Sequence, residues 1–336
     1  MHRLNNIYEK IICEESLFQG YKRALKSNSK SKTAMEFYFN AEKNIDKLHD
    51  DLESGNYLPG ELFSFTIYDP KERVISAAPF RDRVLHQAIC AELEPFFEKK
   101  FICHTYACRK NKGTHKAVLQ AQKYIKGSRW FLKSDIRKYF DSIDHTILLT
   151  QLEKIIRGNK LLNLLEKIIN ANFVMPGKGI PIGNLTSQYF ANFYLNRFDH
   201  YLKDFRGVGK YIRYMDDFVI FEDDKEVLKR LLADIRVFLL QELKLELKEK
   251  ATYINSRENG LSFLGWRIFP NLIKINNSNL KRSLKKLGRR EKEYSKGAID
   301  EEKLIQSGSS VMGHIRYFNT RNLCLRIFNK GWLSHN

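Results

Sequence analysis

The sequence predicts an α+β fold, and three observations predict it. Some stretches repeat apolar residues at helical spacing, as at Val84, Leu85, Ala88, Ile89 and Leu93. Others run as short alternating or β-branched segments around turn residues, as at 63–76 and 210–222, which marks hairpins. Both kinds follow one another without an internal repeat along 336 residues, enough for two or three subdomains and a sizeable core.

The elements follow in order. Residues 1–60 read as mostly helical and basic, with a Ser/Lys-rich break at 27–32 and a helix over 34–54 that Gly55 stops. Residues 63–68 alternate, Asp69-Pro70-Lys71-Glu72 turns, and Arg73-Val74-Ile75-Ser76 resumes the strand. Pro79 and Arg81-Asp82-Arg83 lead into a helix over 84–94, with Pro95 as its stop or kink. Residues 101–109 read as irregular or extended, 109–113 as a basic turn and 115–125 as a helix. A strand over 130–136 then turns into a helix that Asp144 is placed to cap. Two helices cover 145–171, and a loop rich in Pro and Gly precedes one long helix over 185–205, with Asp199 on its charged face. After the hairpin at 210–222 come a helix over 225–243, a strand starting at Leu245, and a further hairpin arm over 262–269.

Charge narrows the partner. Lys and Arg number 58 against 39 Asp and Glu, a net +19 that suits a polyanion, most simply nucleic acid. Past Pro270 the composition shifts: residues 271–336 hold 14 Lys or Arg and 5 Asp or Glu, so a domain boundary is placed near 270. With 16 Tyr and 23 Phe the chain carries enough aromatic residues to fold. The cysteines at 13, 90, 103, 108 and 324 form no Cys-x-x-Cys pair, and four ligands at zinc spacing are missing around Cys103, His104 and Cys108. Reduced thiols in a cytoplasmic compartment are expected. No signal peptide opens the sequence and no apolar run approaches a membrane span.

Chemistry is expected at acids. Asp216 and Asp217 stand at the tip of the 210–222 hairpin, and Asp135 ends a buried-looking strand about eighty residues earlier. Adjacent antiparallel strands would gather the three. A carboxylate cluster cannot ionise fully without a cation, and hard divalent ions such as Mg²⁺ take carboxylate oxygens. Asp141 and Asp144 have the plainer reading of turn and cap residues.

Seven blocks in this order resemble the reverse transcriptases of the bacterial and group II intron lineage. The first is Arg73-Val-Ile75 through Arg81-Asp-Arg-Val-Leu-His-Gln-Ala-Ile89 and the second Tyr106-Ala-Cys-Arg-Lys-Asn-Lys-Gly-Thr-His115. The third is Ser134-Asp-Ile-Arg-Lys-Tyr-Phe-Asp-Ser-Ile-Asp-His145 and the fourth Gly179-Ile-Pro-Ile-Gly-Asn-Leu-Thr-Ser-Gln188. Tyr214-Met-Asp-Asp217 is similar to the fifth, Leu245-x-Leu247-x-x-Lys250 to the sixth, and Phe263-Leu-Gly-Trp266 to the primer-grip block. The resemblance implies a right-hand polymerase: an N-terminal helical extension (1–60), fingers (61–130 with part of 145–180), a palm with a split βαβ sheet (131–270) and a basic helical thumb (271–336).

The resemblance also implies roles. Asp135, Asp216 and Asp217, with the backbone carbonyl of Ile136, would hold two Mg²⁺ ions, Mn²⁺ being a substitute. Arg109, Lys110 or Lys112 would grip the incoming triphosphate, the choice among them staying open. Phe140 is either a steric gate against a ribose 2′-hydroxyl or a core aromatic. Ile182, Gly183 and Gln188 would line the nucleotide pocket. Lys250 either donates a proton to pyrophosphate or is an exposed strand lysine. Leu264, Gly265 and Trp266 would form the primer grip. Lys281, Arg282, Lys285, Lys286, Arg289 and Arg290 either track the nucleic-acid backbone or form a solvated helix face.

The fourth block departs from the common pattern: Pro181-Ile182-Gly183 replaces Pro-Gln-Gly, and Ser187-Gln188 replaces Ser-Pro. This pair resembles the enzymes of diversity-generating retroelements. That implies error-prone copying at adenines, a structured template RNA, an RNA/DNA primer duplex, dNTPs, a small basic helical accessory protein, and a bacterial or phage-encoded source. Ile182 offers only apolar contact where Gln could hydrogen-bond, so it either loosens the pocket or marks the lineage. No stretch is expected for RNase H, protease, integrase or endonuclease. Retron, group II-derived and defence-associated enzymes are the alternatives in the same class, and a non-catalytic RNA-binding scaffold is the alternative outside it.

Overall fold

The computed structural model describes residues 6–28, 31–68, 72–171 and 175–328. Four helices open the chain: α1 (Ile7–Ile12), α2 (Glu14–Asn28), α3 (Lys32–Phe39) and α4 (Ala41–Glu53). The single helix expected over 34–54 is two. Asn40 leaves helical backbone (φ −129°, ψ 39°), and the bend lets Phe37 and Leu48 both reach the core. The hairpin β1 (Phe63–Ile67) and β2 (Arg73–Ala77) follows; Asp69, Pro70 and Lys71 of its expected turn lie outside the described residues.

Next come α5 (Phe80–Lys100) and α6 (Thr114–Lys126). Pro95 does not stop α5. It sits at an exposed position, where one lost backbone bond is tolerated, and Phe97 beyond it is anchored 4.8 Å from the ring of Phe193. Gly20 lets α2 lie close on α5: a Cβ there would stand 2.5 Å from the Val84 carbonyl.

β3 (Trp130–Asp135) leads to α7 (Tyr139–Ser142), α8 (His145–Glu153) and α9 (Asn159–Asn170). Asp144 caps α8 by accepting from the Ile147 amide at 3.1 Å, as expected. The helix expected over 185–205 is broken at Leu195 into α10 (Leu185–Tyr194) and α11 (Asn196–His200), then widens into a π-turn over Tyr201–Phe205. β4 (Tyr211–Tyr214) and β5 (Asp217–Glu222) form the expected hairpin, and α12 (Lys225–Leu243) follows. No regular strand starts at Leu245; Leu247 makes an isolated bridge to Ile136, and β6 (Tyr253–Ser256) begins later. β7 (Leu261–Phe263), β8 (Trp266–Ile268) and β9 (Ile273–Ile275) precede the helices α13 (Asn277–Ser295), α14 (Glu301–Ile315) and α15 (Arg321–Phe328).

The central sheet has the order β4-β5-β3-β6, every neighbouring pair antiparallel. Period-two alternation divides it between two cores. Leu132, Tyr211, Phe218 and Ile220 face the core shared with α10–α12, while Phe131, Ile212, Val219 and Phe221 face the core shared with α6 and β7–β9. The C-terminal helices are tied back across this second core. The ring of Tyr317 stacks on His115 of α6 at 3.5 Å, and Asn319 accepts from the Ile273 amide at 3.0 Å.

Candidate active site

Strand register gathers the acids. β3 and β5 run antiparallel with Asp135 directly opposite Asp217, and β4 places Tyr214 opposite Asp217, so Asp216 stands at the hairpin tip. Met215 turns the chain there with φ 56°, a left-handed conformation that a non-glycine residue adopts only when held.

Electrostatics show a site short of positive charge. Burial, followed by the charge of Asp135, drives the Asp216 carboxyl well above the usual carboxylate range. Burial also pushes Asp217 up, to about 6, against the opposing pull of Lys133. Lys133, two residues before Asp135 on the same face of β3, brings Nζ within 3.0 Å of Asp217 Oδ1. Burial works against the ammonium, but the charges of Asp217 and Asp135 outweigh it and hold its pKa above the ordinary lysine value. Beyond this ion pair, that buried oxygen has no hydrogen-bond partner among the described residues. Lys248 approaches from the other side, its Nζ 3.7 Å from Asp135 Oδ2 and its amide donating to the Asp135 carbonyl at 2.8 Å.

These hard oxygen donors, with two carboxyls raised by burial first and by the charge of Asp135 after it, fit a divalent cation. With Asp217 turned onto Lys133, no three acidic, histidine or cysteine side chains among the described residues close on one point as a finished cage. Ile136 lies one residue past β3, buried and bridged to Leu247.

The other expected residues separate into those near the acids and those held elsewhere. Phe140 is half-buried, and its carbonyl accepts from the Ile180 amide at 3.0 Å, which docks the 179–188 loop on the 134–145 block. In the same loop the Ile182 carbonyl accepts from the Ser76 amide at 2.7 Å, and Asn184 Oδ1 from the Ala78 amide at 2.9 Å. Gly183 (φ 129°) lies so close to β2 that a Cβ would stand 2.9 Å from an Ile75 methyl and 3.0 Å from the Ser76 carbonyl. Gln188 is exposed, its side-chain oxygen 3.5 Å from Cys108 Sγ.

Arg109 differs from expectation. Its side chain is 6% exposed, forks onto Glu98 at 2.8–3.1 Å and donates to Ile102 and Thr105, so its charge is spent inside the protein. Lys110 is exposed and pairs with Glu94 at 2.8 Å, and Lys112 donates to the Cys103 carbonyl. Lys250 is an exposed residue of a 3₁₀ turn (Glu249–Ala251), not of a strand, and the lysine that meets the acids is Lys248.

The primer-grip expectation needs one correction. Leu264 (φ 49°) and Gly265 (φ 87°) form the β7–β8 turn, which Asn276 and Asn279 hold through the Gly265 carbonyl. Trp266, however, is 0% exposed, its ring 4.8 Å from Phe318 in the second core, because it falls on the inward parity of β8. On α13, Lys281, Arg282, Lys285, Lys286 and Arg289 are exposed, while Arg290 is half-buried against Glu293 at 2.6 Å.

Sequence reasoning passed over Lys133, Lys248 and the Arg213–Asp199 pair. Asp199 is on no charged face: both side chains are 0% exposed and bonded to each other. The one signal available was an arginine inside an otherwise apolar strand.

Comparison with known proteins agrees with the fold. Residues 68–268 match the reverse transcriptase (RNA-dependent DNA polymerase) family. Protein YkfC of Escherichia coli is 28% identical over 268 residues, covering 66% of this chain and 70% of YkfC. The group II intron-encoded protein LtrA of Lactococcus lactis is 24% identical over 299 residues, covering 68% of this chain and 50% of LtrA. A telomerase from Candida albicans, solved with a fragment of telomeric RNA, superposes with a TM-score of 0.50 at 13% identity, covering 81% of this chain and 54% of that one. That likeness speaks for the right-hand polymerase fold alone. The chain thus spans about half the length of LtrA and of the telomerase chain. No described helix is long and apolar enough to cross a membrane. Since the family match takes in more than half of the residues, the chain belongs to the reverse transcriptase (RNA-dependent DNA polymerase) family.

Proposed function

We propose that this chain copies a template RNA into DNA at the Asp135, Asp216 and Asp217 cluster. The observation that carries the reading is the register that sets Asp135 opposite Asp217 with Asp216 beside them. Asp135, Asp216 and Asp217, with the Ile136 carbonyl, would hold divalent cations, Mg²⁺ or Mn²⁺, which would supply Lewis-acid activation of a primer 3′-hydroxyl and charge neutralisation at the leaving pyrophosphate. The 3′-oxygen bonds to the α-phosphorus, the bond to pyrophosphate breaks, and the hydroxyl proton leaves to solvent. Lys248 reaches Asp135, and Lys250, the residue the resemblance assigns as proton donor to pyrophosphate, lies two residues further along in the exposed 3₁₀ turn.

In this reading residues 61–130 with part of 145–180 are the fingers, 131–270 the palm, 271–336 the thumb and 1–60 an N-terminal extension. Phe140 limits the sugar, Ile182, Gly183 and Gln188 line the nucleotide pocket, and Lys110 and Lys112 are nearer to hand for a triphosphate than Arg109. The exposed bases of α13 follow the template–primer backbone. Primer extension on an RNA template with dNTPs and Mg²⁺ tests the activity; a parent protein that binds the RNA without extending leaves only an RNA-binding scaffold, and an Asp216→Asn protein that extends as well as the parent removes the acid cluster from the mechanism.

The finer reading is a diversity-generating retroelement enzyme working with a small basic accessory protein, supported by Ile182 and Gln188. A group II-derived enzyme is the second reading, favoured by the match to LtrA. Ile182→Gln is expected to lower misincorporation opposite adenine by ~3–10-fold, since a hydrogen-bonding side chain restores a penalty for misplacement. Sequencing of the cDNA measures it, and an unchanged adenine error rate removes Ile182 from the account.

A further inference from the structure

Arg213 is a fully buried cation whose guanidinium reaches the turn that carries Asp216. On β4 it is opposite Phe218, on the sheet face away from Lys133 and Asp217. All five guanidinium N–H groups have acceptors. Nε donates to Asp199 Oδ1 at 2.7 Å, and Nη2 donates to Asp199 Oδ2 at 2.5 Å and to the Asn192 carbonyl at 3.2 Å. Nη1 donates to Asn192 Oδ1 and to the Met215 carbonyl, both at 2.9 Å. Tyr211 donates to Asp199 Oδ1 at 2.8 Å. The break at Leu195 and the π-turn after His200 aim Asp199 inward at this point.

A buried ion pair is a poor source of stability, because well-packed apolar residues of similar volume do as well. What apolar residues cannot do is hold a carbonyl. The carbonyl held here is that of Met215, whose left-handed backbone (φ 56°) a non-glycine residue keeps only when it is held. The main chain of Arg213 is engaged as well. Its amide donates to the His104 carbonyl and its carbonyl accepts from the Tyr106 amide, both at 3.0 Å, while Asn192 reaches the Ala107 carbonyl at 3.0 Å. One residue thereby joins the 104–107 loop, α10, α11 and the turn.

We propose that Arg213, held by Asp199 and Asn192, is a positioning residue that fixes the Met215 carbonyl and so sets where Asp216 stands relative to Asp135. The claim that this spacing governs catalysis rests on the polymerase reading above; the claim that Arg213 orders the turn does not.

Arg213→Lys keeps a charge opposite Asp199, but one ammonium cannot span Asp199, Asn192 and Met215 together. The variant is expected to melt cooperatively and bind primed RNA as the parent does. Its KM for dNTP should stay within about twofold while kcat falls ~30-fold and the half-saturating Mg²⁺ concentration rises ~10-fold, the pattern of a lost transition-state geometry. Amide hydrogen exchange at 215–217 should quicken by about tenfold with β3 unchanged. The double change Arg213→Met with Asp199→Leu removes both charges without orphaning either, and the same pattern is expected. Turn exchange and kcat within about twofold of the parent in either folded variant overturn the proposal. Unfolding of both variants also overturns it, by assigning the pair to stability. A parent protein that does not polymerise defeats the functional reading alone, since hydrogen exchange still decides whether Arg213 orders the turn.

Discussion

At the scale of residues, the acids that would work together oppose each other when no cation is present. Asp216 is forced up by burial and by Asp135, so ionising it destabilises the folded chain. Asp216→Asn should therefore raise the metal-free stability by ~1–3 kcal/mol while cutting polymerisation by about three orders of magnitude. Urea unfolding in chelator, beside primer extension, checks both halves; a variant less stable than the parent contradicts the repulsion. His86 offers a separate pH test. Buried in α5, it is pushed down to about 4 chiefly by burial, with Arg83 adding and Asp82 opposing. Its folded pKa lies below the unfolded value near 6.5, so the unfolded chain binds the extra proton. Stability is full above pH 6.5 and falls through the window down to pH 4, by at most ~3 kcal/mol. The change in unfolding midpoint between pH 7.5 and 5 should differ between the parent and His86→Leu by this contribution, since Asp216 and Asp217, which titrate across the same window with the opposite sign, are common to both proteins.

At the scale of elements, the β1–β2 hairpin is lightly anchored. Phe63 is 71% exposed, and the base of β2 is held by backbone and Asn184 contacts to the 182–184 loop. Gly183→Ala should push the two apart, because its Cβ meets Ile75 and Ser76 at a φ of 129°. The expected cost is ~1–3 kcal/mol, with a raised KM for dNTP and little change in kcat, read from denaturation and steady-state extension. The hairpins, α12 and the Asp144 cap were legible in sequence because alternation, helical spacing and capping are local signals. The stop offered at Pro95 and the unbroken helix over 34–54 were not realised because packing at a distance decided both, Phe193 holding Phe97 in one case and the core positions of Phe37 and Leu48 accompanying the break at Asn40 in the other.

At the scale of the whole molecule, charge and docking dominate. The net +19 and the exposed bases of α13 predict binding to primed RNA that weakens steeply with salt. Replacing Lys281, Lys285 and Lys286 by Gln should flatten the slope of log K against log salt by about 3, roughly one per lost phosphate contact. Filter binding at several salt concentrations measures it; an unchanged slope makes that face a solvated surface. The stack of Tyr317 on His115 and the bond from Asn319 to Ile273 seat the C-terminal helices against α6 and β7–β9. The basic face is thereby carried on a platform tied to the central sheet.

The sequence by itself determined the ordered blocks, the two carboxylate segments and their convergence, because period and spacing are properties of neighbouring residues. Only the tertiary structure decided which cation meets which acid. Lys133 and Lys248 rather than Lys250 flank the cluster, Arg109 is spent on Glu98, Trp266 turns inward, and Arg213 finds Asp199 beneath the turn at Met215. Those pairings depend on strand register and helix breaks that bring distant segments within a few ångströms, and a side chain's charge carries no mark of the partner that will neutralise it.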